Sequence, residues 1–383
     1  MARIEVLDGV AQVAPGAWNA LVGDGSPFLE WEWLASLEES GCVSAERGWS
    51  PRPLVAWEGE RLVAACPLYV KSHSEGEFVF DWGWADAAER AGMRYYPKLL
   101  VGVPFTPVGG ERFLVAPGED RARWTSALAR ALVQICGDGE LSGAHVNFCL
   151  RDEIEPLREL GYELRVGLQY HWHNQGYADF EAYLSRFRSK RRNQIRRERR
   201  GVAEQGVQVE ALRGDRIGDE LFEPLYRCYL ATVRERFYGR QYLNRELFEL
   251  LRERFRERLC FIVAHRDGRP VAGTFNVQKG PALYGRYWGA LEEVRFLHFD
   301  VCYYAAIEHC IREGLERFEP GAGGEYKQVR GFDAQPTYSL HYLRDSRLRS
   351  AVRRFLEGER DHVEDAVDWI RRNSALKGES PAS

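Results

Sequence analysis

The sequence predicts an α/β (α+β) protein built from two similar halves with mixed sheets, followed by a C-terminal helix. Three observations carry this reading. The chain has 383 residues, more than a single domain usually holds. Its two halves run in one order: strand, two helices, hairpin, strand, helix, strand. The hairpins share residues at a constant offset of 208, with Val55, Ala56, Arg61, Val63, Ala64 and Lys71 matching Val263, Ala264, Arg269, Val271, Ala272 and Lys279. A hairpin feeding a mixed sheet is an α+β pattern rather than a Rossmann alternation, and duplication explains the repeat.

The first half is expected over 1–172. Residues 3–8 alternate as a strand, and helices follow at about 15–22 and 30–39. Residues 53–57, the turn Glu58-Gly59-Glu60 and residues 61–71 form the first hairpin. The aromatic, Gly-rich stretch 78–110 holds a strand and a long loop. Then come a helix (121–136), a buried strand (144–150), a short helix (152–160) and a strand (162–171).

The second half is expected over 173–345. It opens with a basic helix carrying an apolar stripe of Phe180, Tyr183, Leu184, Phe187 and Ile195 at helical spacing. A strand at 207–212, helices at about 219–236 and 244–258, and a hairpin (259–266, turn Asp267-Gly268, 269–279) follow. A strand (282–290), a helix (299–313), a strand (315–319), a Gly-rich turn, a short helix and a strand near 337–343 close it. Residues 346–383 read as an amphipathic helical tail.

Hydrophobic residues at 45% and aromatics at 13% suffice for two packed cores, which excludes a disordered chain. The net charge of −4 gives no reason to expect a nucleic-acid-coating or membrane-coating protein. None of the eight cysteines sits in a CxxC, so buried thiols in a reducing compartment are expected rather than a disulfide framework. The first residues lack the apolar region of a signal peptide, and no stretch has 18 uncharged apolar residues. A cytoplasmic protein is expected, with the basic helix a candidate for peripheral contact at the inner membrane.

Several segments carry a family resemblance. The run from Phe187 to Arg197 followed by Glu204-Gln205-Gly206-Val207-Gln208-Val209 resembles the helix-then-strand entry to the second half of FemAB-type tandem GNAT proteins. Leu315 to Gly324 followed by Tyr326-Lys327-Gln328-Val329-Arg330-Gly331-Phe332 is similar to that group's late strand, Gly turn and Lys-bearing segment. The whole chain looks like a bacterial FemAB-like family of N-acyltransferases or peptidoglycan-related proteins, on the segments His73 to Trp82, Tyr95-Tyr96-Pro97-Lys98, Val103 to Pro107, His171-Trp172-His173-Asn174 and Phe299 to Tyr304.

The resemblance implies two tandem GNAT-like acyl-CoA N-acyltransferase domains. It also implies transfer from an acyl thioester, acyl-CoA, to a primary amine of a long-chain lipid (sphingoid-base type) or of the cell envelope. No permanently bound cofactor is expected; acyl-CoA is the co-substrate. The alternatives are a FemAB-type transferase using aminoacyl-tRNA and a non-catalytic protein that binds an envelope precursor. Residues 287–296 lack the Arg/Gln-x-x-Gly-x-Gly/Ala loop common in acyl-CoA-dependent GNAT enzymes, so CoA would need another loop.

Amine acylation needs a group that takes a proton from the attacking ammonium, and positioned donors for the developing oxyanion. His73, Glu77 and Asp81 fall on one face of an extended 73–81 segment and are the acid/base candidates; a solvated strand face is the plain alternative. His341 and Tyr342 are further acid/base candidates. His171 and His173 share a face but have no completing ligand, so a cleft wall is expected rather than a metal site. The run from Arg186 to Arg200 holds nine Lys or Arg against one Glu, which points to phosphate through Lys190, Arg191 and Arg192. Arg286, Lys327 and Arg330 join the donor-binding candidates, and the resemblance turns Lys327 toward the acyl donor. Trp82 and Phe105 are candidates for an apolar pocket, against the plain reading of core.

Overall fold

The computed structural model describes residues 2–235 and 241–377, and the chain divides into two compact units. The first comprises Met1–Leu168 and Pro336–Asp365, the second Gln169–Gln335 and Ala366–Ser383. The expected end of the helix near 236 and the last tail residues, 378–383, lie outside the described residues.

In the first unit, Ala2–Val6, Leu54–Glu58, Arg61–Cys66 and Leu114–Val115 form an antiparallel sheet in that order. A second, mixed sheet runs Trp49–Pro51, Leu68–Lys71, Lys98–Val101, Gly143–Cys149 and then the 338–343 part of Asp333–Leu343. Its parallel pair, Lys98–Val101 with Gly143–Cys149, is joined through the helix Arg121–Asp138. That helix buries Trp124, Leu128, Leu132 and Cys136 against Leu99, Val101, Ala144 and Val146 of the sheet. Asp120 caps it by accepting from the Arg123 amide.

In the second unit, Val207–Arg213, Leu259–Arg266, Arg269–Lys279 and Ala282–Ala290 are antiparallel neighbours. Arg317–Glu319 adds in parallel, and the end of Glu163–His173 pairs beyond it through Trp172 and His173. The unit's core gathers Trp172, Tyr183, Phe187, Ile195, Ile262, Leu283, Val301, Ile307 and Phe318.

The repeat seen in the sequence is physical. Both hairpins close on two residues, Gly59-Glu60 and Asp267-Gly268, and both shift register at the matching place, after Ala56 and after Ala264. Both parallel pairs are three residues long and are followed by glycine, Gly102 and Gly285. At Gly285 a Cβ would sit 3.2 Å from the backbone of Pro320, a tight contact that favours glycine at this close approach. The mixed α/β organisation with mixed sheets expected from the sequence is the one observed.

Three expectations change. The extended 73–81 segment is a turn-rich loop, because Gly76 and Phe78 take left-handed backbone (φ 77° and 59°) and break the alternation. The next residues form a helix, Trp82–Arg90, whose middle carries the strong helix former Ala at 85, 87 and 88. The basic helix is two helices, Phe180–Ser185 and Ser189–Ala203, since Phe187 pairs its backbone with Leu376. The C-terminal segment Ser346–Arg372 is one continuous helix. Among the described residues, no helix is long and apolar enough to cross a membrane.

Candidate functional site

The mixed sheet of the first unit has two unlike faces. Leu68, Leu99, Val101, Ala144, Val146 and Leu340 face the apolar core. Strand alternation turns the intervening residues the other way: Tyr69, Lys71, Lys98, His145, Asn147, Ser339 and His341. All of them are buried, between 0% and 5% exposed. Burying so many polar groups on one face costs free energy unless each finds partners, which makes this face the candidate site.

Lys98 is the hub. Its ammonium donates to Ser74 Oγ (2.8 Å), Glu77 Oε2 (2.9 Å) and Asp81 Oδ2 (2.5 Å). Tyr95 donates to the same Asp81 oxygen (2.6 Å), and Ser74 shares a hydrogen bond with the Tyr96 hydroxyl (2.8 Å). The loop after Lys71 is thus tied to the sheet by one lysine and two carboxylates. Asp81 does not cap the helix that begins at Trp82 but reaches back to Lys98.

These neighbours separate the two acids. Burial pushes Glu77 up to about 7, although Lys98 pulls the other way. Burial also opposes ionisation of Asp81, but Lys98 outweighs it and holds this carboxyl below the usual carboxylate range. Burial disfavours the charge on Lys98, yet the two acids keep its pKa above the ordinary lysine value. Lys98 and Asp81 thus favour the charged pair, and burial makes Glu77 the more readily protonated of the two acids.

Next along the face, His145 and His341 meet through their Nδ1 atoms (2.7 Å), and Trp84 packs edge-on against His341. One Nδ1 must donate and the other accept, so the rings are opposite tautomers. Burial lowers the pKa of both, that of His145 to about 3, and the pair is neutral.

Of the residues singled out in the sequence, Glu77 and Asp81 converge and His341 lies on the same face. His73 does not join them: its ring bonds the Arg47 carbonyl (3.0 Å) and the Glu75 amide (3.1 Å) within the turn. The strand meant to align it with the acids does not form. Tyr342 points the other way and packs against the apolar core. Phe105 is buried against Trp49, whereas Trp82 is half exposed beside Phe80, so the two line no common pocket. Lys98, His145 and Asn147 were missed. The signal for His145 and Asn147 was a polar residue at every second position of an otherwise apolar strand, and that for Lys98 a lone lysine opening an apolar one.

In the second unit, His171 lies 3.6 Å from Glu319, which Arg317 holds at 2.8 Å; Arg286 acts electrostatically on the same carboxyl. His173 bonds Gln335 (3.3 Å). Lys327 is buried and donates to the Gly321 and Ala322 carbonyls of the turn (2.5 and 3.3 Å), and burial lowers its pKa to about 8. Arg330 is committed to Glu198 (3.2 Å) and Tyr304 (2.9 Å) and lies over Phe299 (3.7 Å). On the helix Ser189–Ala203, Lys190 is exposed, while Arg191 and Arg192 are half-buried, with Arg191 bonded to Gln194 (3.0 Å). Among the described residues, no three His, Cys, Asp or Glu are placed to hold a metal ion.

No curated protein matches the chain by sequence. Among solved structures it is similar to FemX, with 12% identity and a TM-score of 0.57 over 89% of this chain and 98% of that one. It is similar to the C-terminal domain of a candidate lysylphosphatidylglycerol synthetase from Agrobacterium fabrum (12% identity, TM-score 0.54, 90% and 95% covered). It also resembles L-PGS from Bacillus licheniformis (10% identity, TM-score 0.50, 84% and 95% covered). These likenesses establish a shared fold. The FemAB-like family model, described as peptidoglycan biosynthesis/recognition, matches residues 9–378. The chain therefore belongs to the FemAB-like family.

Proposed function

We propose that the chain is a transferase moving an acyl group from an acyl thioester, acyl-CoA, to a primary amine of a cell-envelope precursor, with Glu77 as the proton acceptor. One observation carries this reading: a buried carboxyl whose pKa is raised to about 7 beside a fixed ion pair. In the reaction, Glu77 takes a proton from the substrate ammonium. The freed amine attacks the thioester carbonyl, the N–C bond forms and the C–S bond breaks. The departing thiolate receives that proton from Glu77, and the second proton, shed by the attacking nitrogen as the amide forms, leaves to solvent, so one proton is released overall. The family's description supports an envelope role. The fold it shares with FemX and with lysylphosphatidylglycerol synthetase domains supports group transfer.

An aminoacyl-tRNA donor is the second reading. It is favoured by the helix Ser189–Ala203, which exposes Lys190, Arg196, Arg197 and Arg200 on one segment. Incubating the protein with an amine and either acetyl-CoA, palmitoyl-CoA or alanyl-tRNA, with mass detection of the amide, decides between donors. Amide from a CoA thioester supports the leading reading, and amide from charged tRNA alone replaces it with the second. No amide from any donor rejects both.

A further inference from the structure

The antiparallel sheet of the first unit ends on an open strand. Among the described residues, Ala2–Val6 pairs on one side with Leu54–Glu58 and carries no strand on the other. The backbone amides and carbonyls of that outer side are a template for one more strand. Ile4 and Val6 are the register partners of Ala56 and Leu54, so all four side chains share the face against which the helix Arg121–Asp138 packs. Ala56 and Leu54 are fully buried there, whereas Ile4 and Val6 are 38% and 43% exposed. Between them and the half-buried helix stripe of Ala127, Ala131 and Ile135 runs a groove of about 720 Å³, bordered by charged residues of the same helix. Native edges are usually blunted by an inward charge, a bulge or a proline. The charges of this strand, Arg3 and Glu5, instead point to the opposite face, where they lie 3.2 Å apart.

The order of those charges says what the edge takes. A two-fold axis perpendicular to the sheet sets the strand antiparallel to its own copy, with one residue on the axis. With Arg3 on the axis the two guanidinium groups oppose each other, and with Glu5 on the axis the two carboxylates do. With Ile4 on the axis, Arg3 of each copy stands opposite Glu5 of the other, Ala2 stands opposite Val6, and the two isoleucines meet at the seam. This is also the register that pairs all five residues of the strand. A foreign strand would gain the same main-chain bonds, but Arg3 and Glu5 match their own copy.

We propose that the edge strand Ala2–Val6 is a self-association surface, through which two copies of this chain pair about Ile4 and join their four-stranded sheets into one. Ile4 and Val6 of both copies are then covered beside the groove. Five paired residues and two shallow grooves make an interface at the small end of the stable range, so a dissociation constant of about 10 µM is expected.

Sedimentation equilibrium of the untagged full chain, from about 1 to 100 µM, tests this. The mass should rise from that of one chain toward that of two. Arg3→Glu and Glu5→Arg each set like charges opposite one another twice in the dimer, and each should weaken it by about tenfold or more. The double variant Arg3→Glu/Glu5→Arg restores the opposite pairs and should recover the wild-type association. The Arg3 and Glu5 side chains are 65% and 33% exposed, so these reversals spare the fold, and recovery in the double variant shows it directly. A wild-type chain that stays monomeric at about 100 µM overturns the proposal. A dimer indifferent to the single reversals also overturns it, since it would pair through another surface. A double variant as weak as the singles would deny the register.

Discussion

Lys71 and Lys98 are register partners on adjacent antiparallel strands, both fully buried on the same face, and their amines are held at opposite ends of the lysine range. Lys98 has two carboxylates within hydrogen-bond reach. Lys71 instead donates to the carbonyls of Gly48 (3.1 Å) and Glu75 (3.4 Å), with the ring of Trp49 beneath its ammonium at 3.6 Å. Burial therefore wins at Lys71 and lowers its pKa to about 7.

The Lys98 bridge is expected to fasten the loop that covers the site. Lys98→Met leaves two buried carboxyls without their counter-charge, a change worth about 3–5 kcal/mol. Urea unfolding at pH 7 should show a loss of this size. A loss below about 1 kcal/mol would mean that the acids are solvated, contrary to their burial.

Lys71 gives a pH signature of its own. Its folded pKa is depressed, so its contribution favours folding above its unfolded value of 10.5 and is lost as the pH falls toward about 7. Stability of the wild type relative to Lys71→Met should therefore rise between pH 7 and pH 10. Parallel stability curves for the two proteins would show that Lys71 is charged and solvated.

In the second unit, Glu198 is the single carboxylate within ion-pair distance of Arg330 among the described residues, and it also accepts from Tyr304. Glu198→Ala should cost about 3–5 kcal/mol by leaving a buried guanidinium unpaired. The double variant Glu198→Ala/Arg330→Leu should recover part of that loss in a double-mutant cycle. Additive effects would deny the coupling.

Much of this was legible in the chain. The repeat and both hairpins followed from residues such as Val55-Ala56 and Val263-Ala264, because two-residue turns and alternation are local properties. Glu77 and Asp81 were found by residue type, yet for a geometry that does not form. A strand was expected where Gly76 and Phe78 turn the backbone left-handed. They converge through Lys98, 21 and 17 residues away, and no local rule reports that pairing. Asn147 and His145 looked like ordinary members of a buried strand, since period-two alternation says which side chains share a face but not what covers them. Lys327 and Arg330 were singled out for a donor, and the fold engages them with the Gly turn and with Glu198.

If the basic helix binds a polyanionic donor, Lys190→Ala/Arg191→Ala/Arg192→Ala should weaken tRNA binding. The dependence of log affinity on log salt should flatten by about one unit for each phosphate that is no longer neutralised. An unchanged slope would place the RNA elsewhere on the protein or show that it does not bind.

The most direct test is the pH–rate profile of acyl transfer by the wild type and by Glu77→Gln. The raised pKa of Glu77 means that the free base forms only as the pH passes about 7, so kcat/KM should climb and level off above it. The glutamine variant should lose about a hundredfold or more, and the inflection with it. A Glu77→Gln enzyme with wild-type turnover and the same inflection would contradict the account.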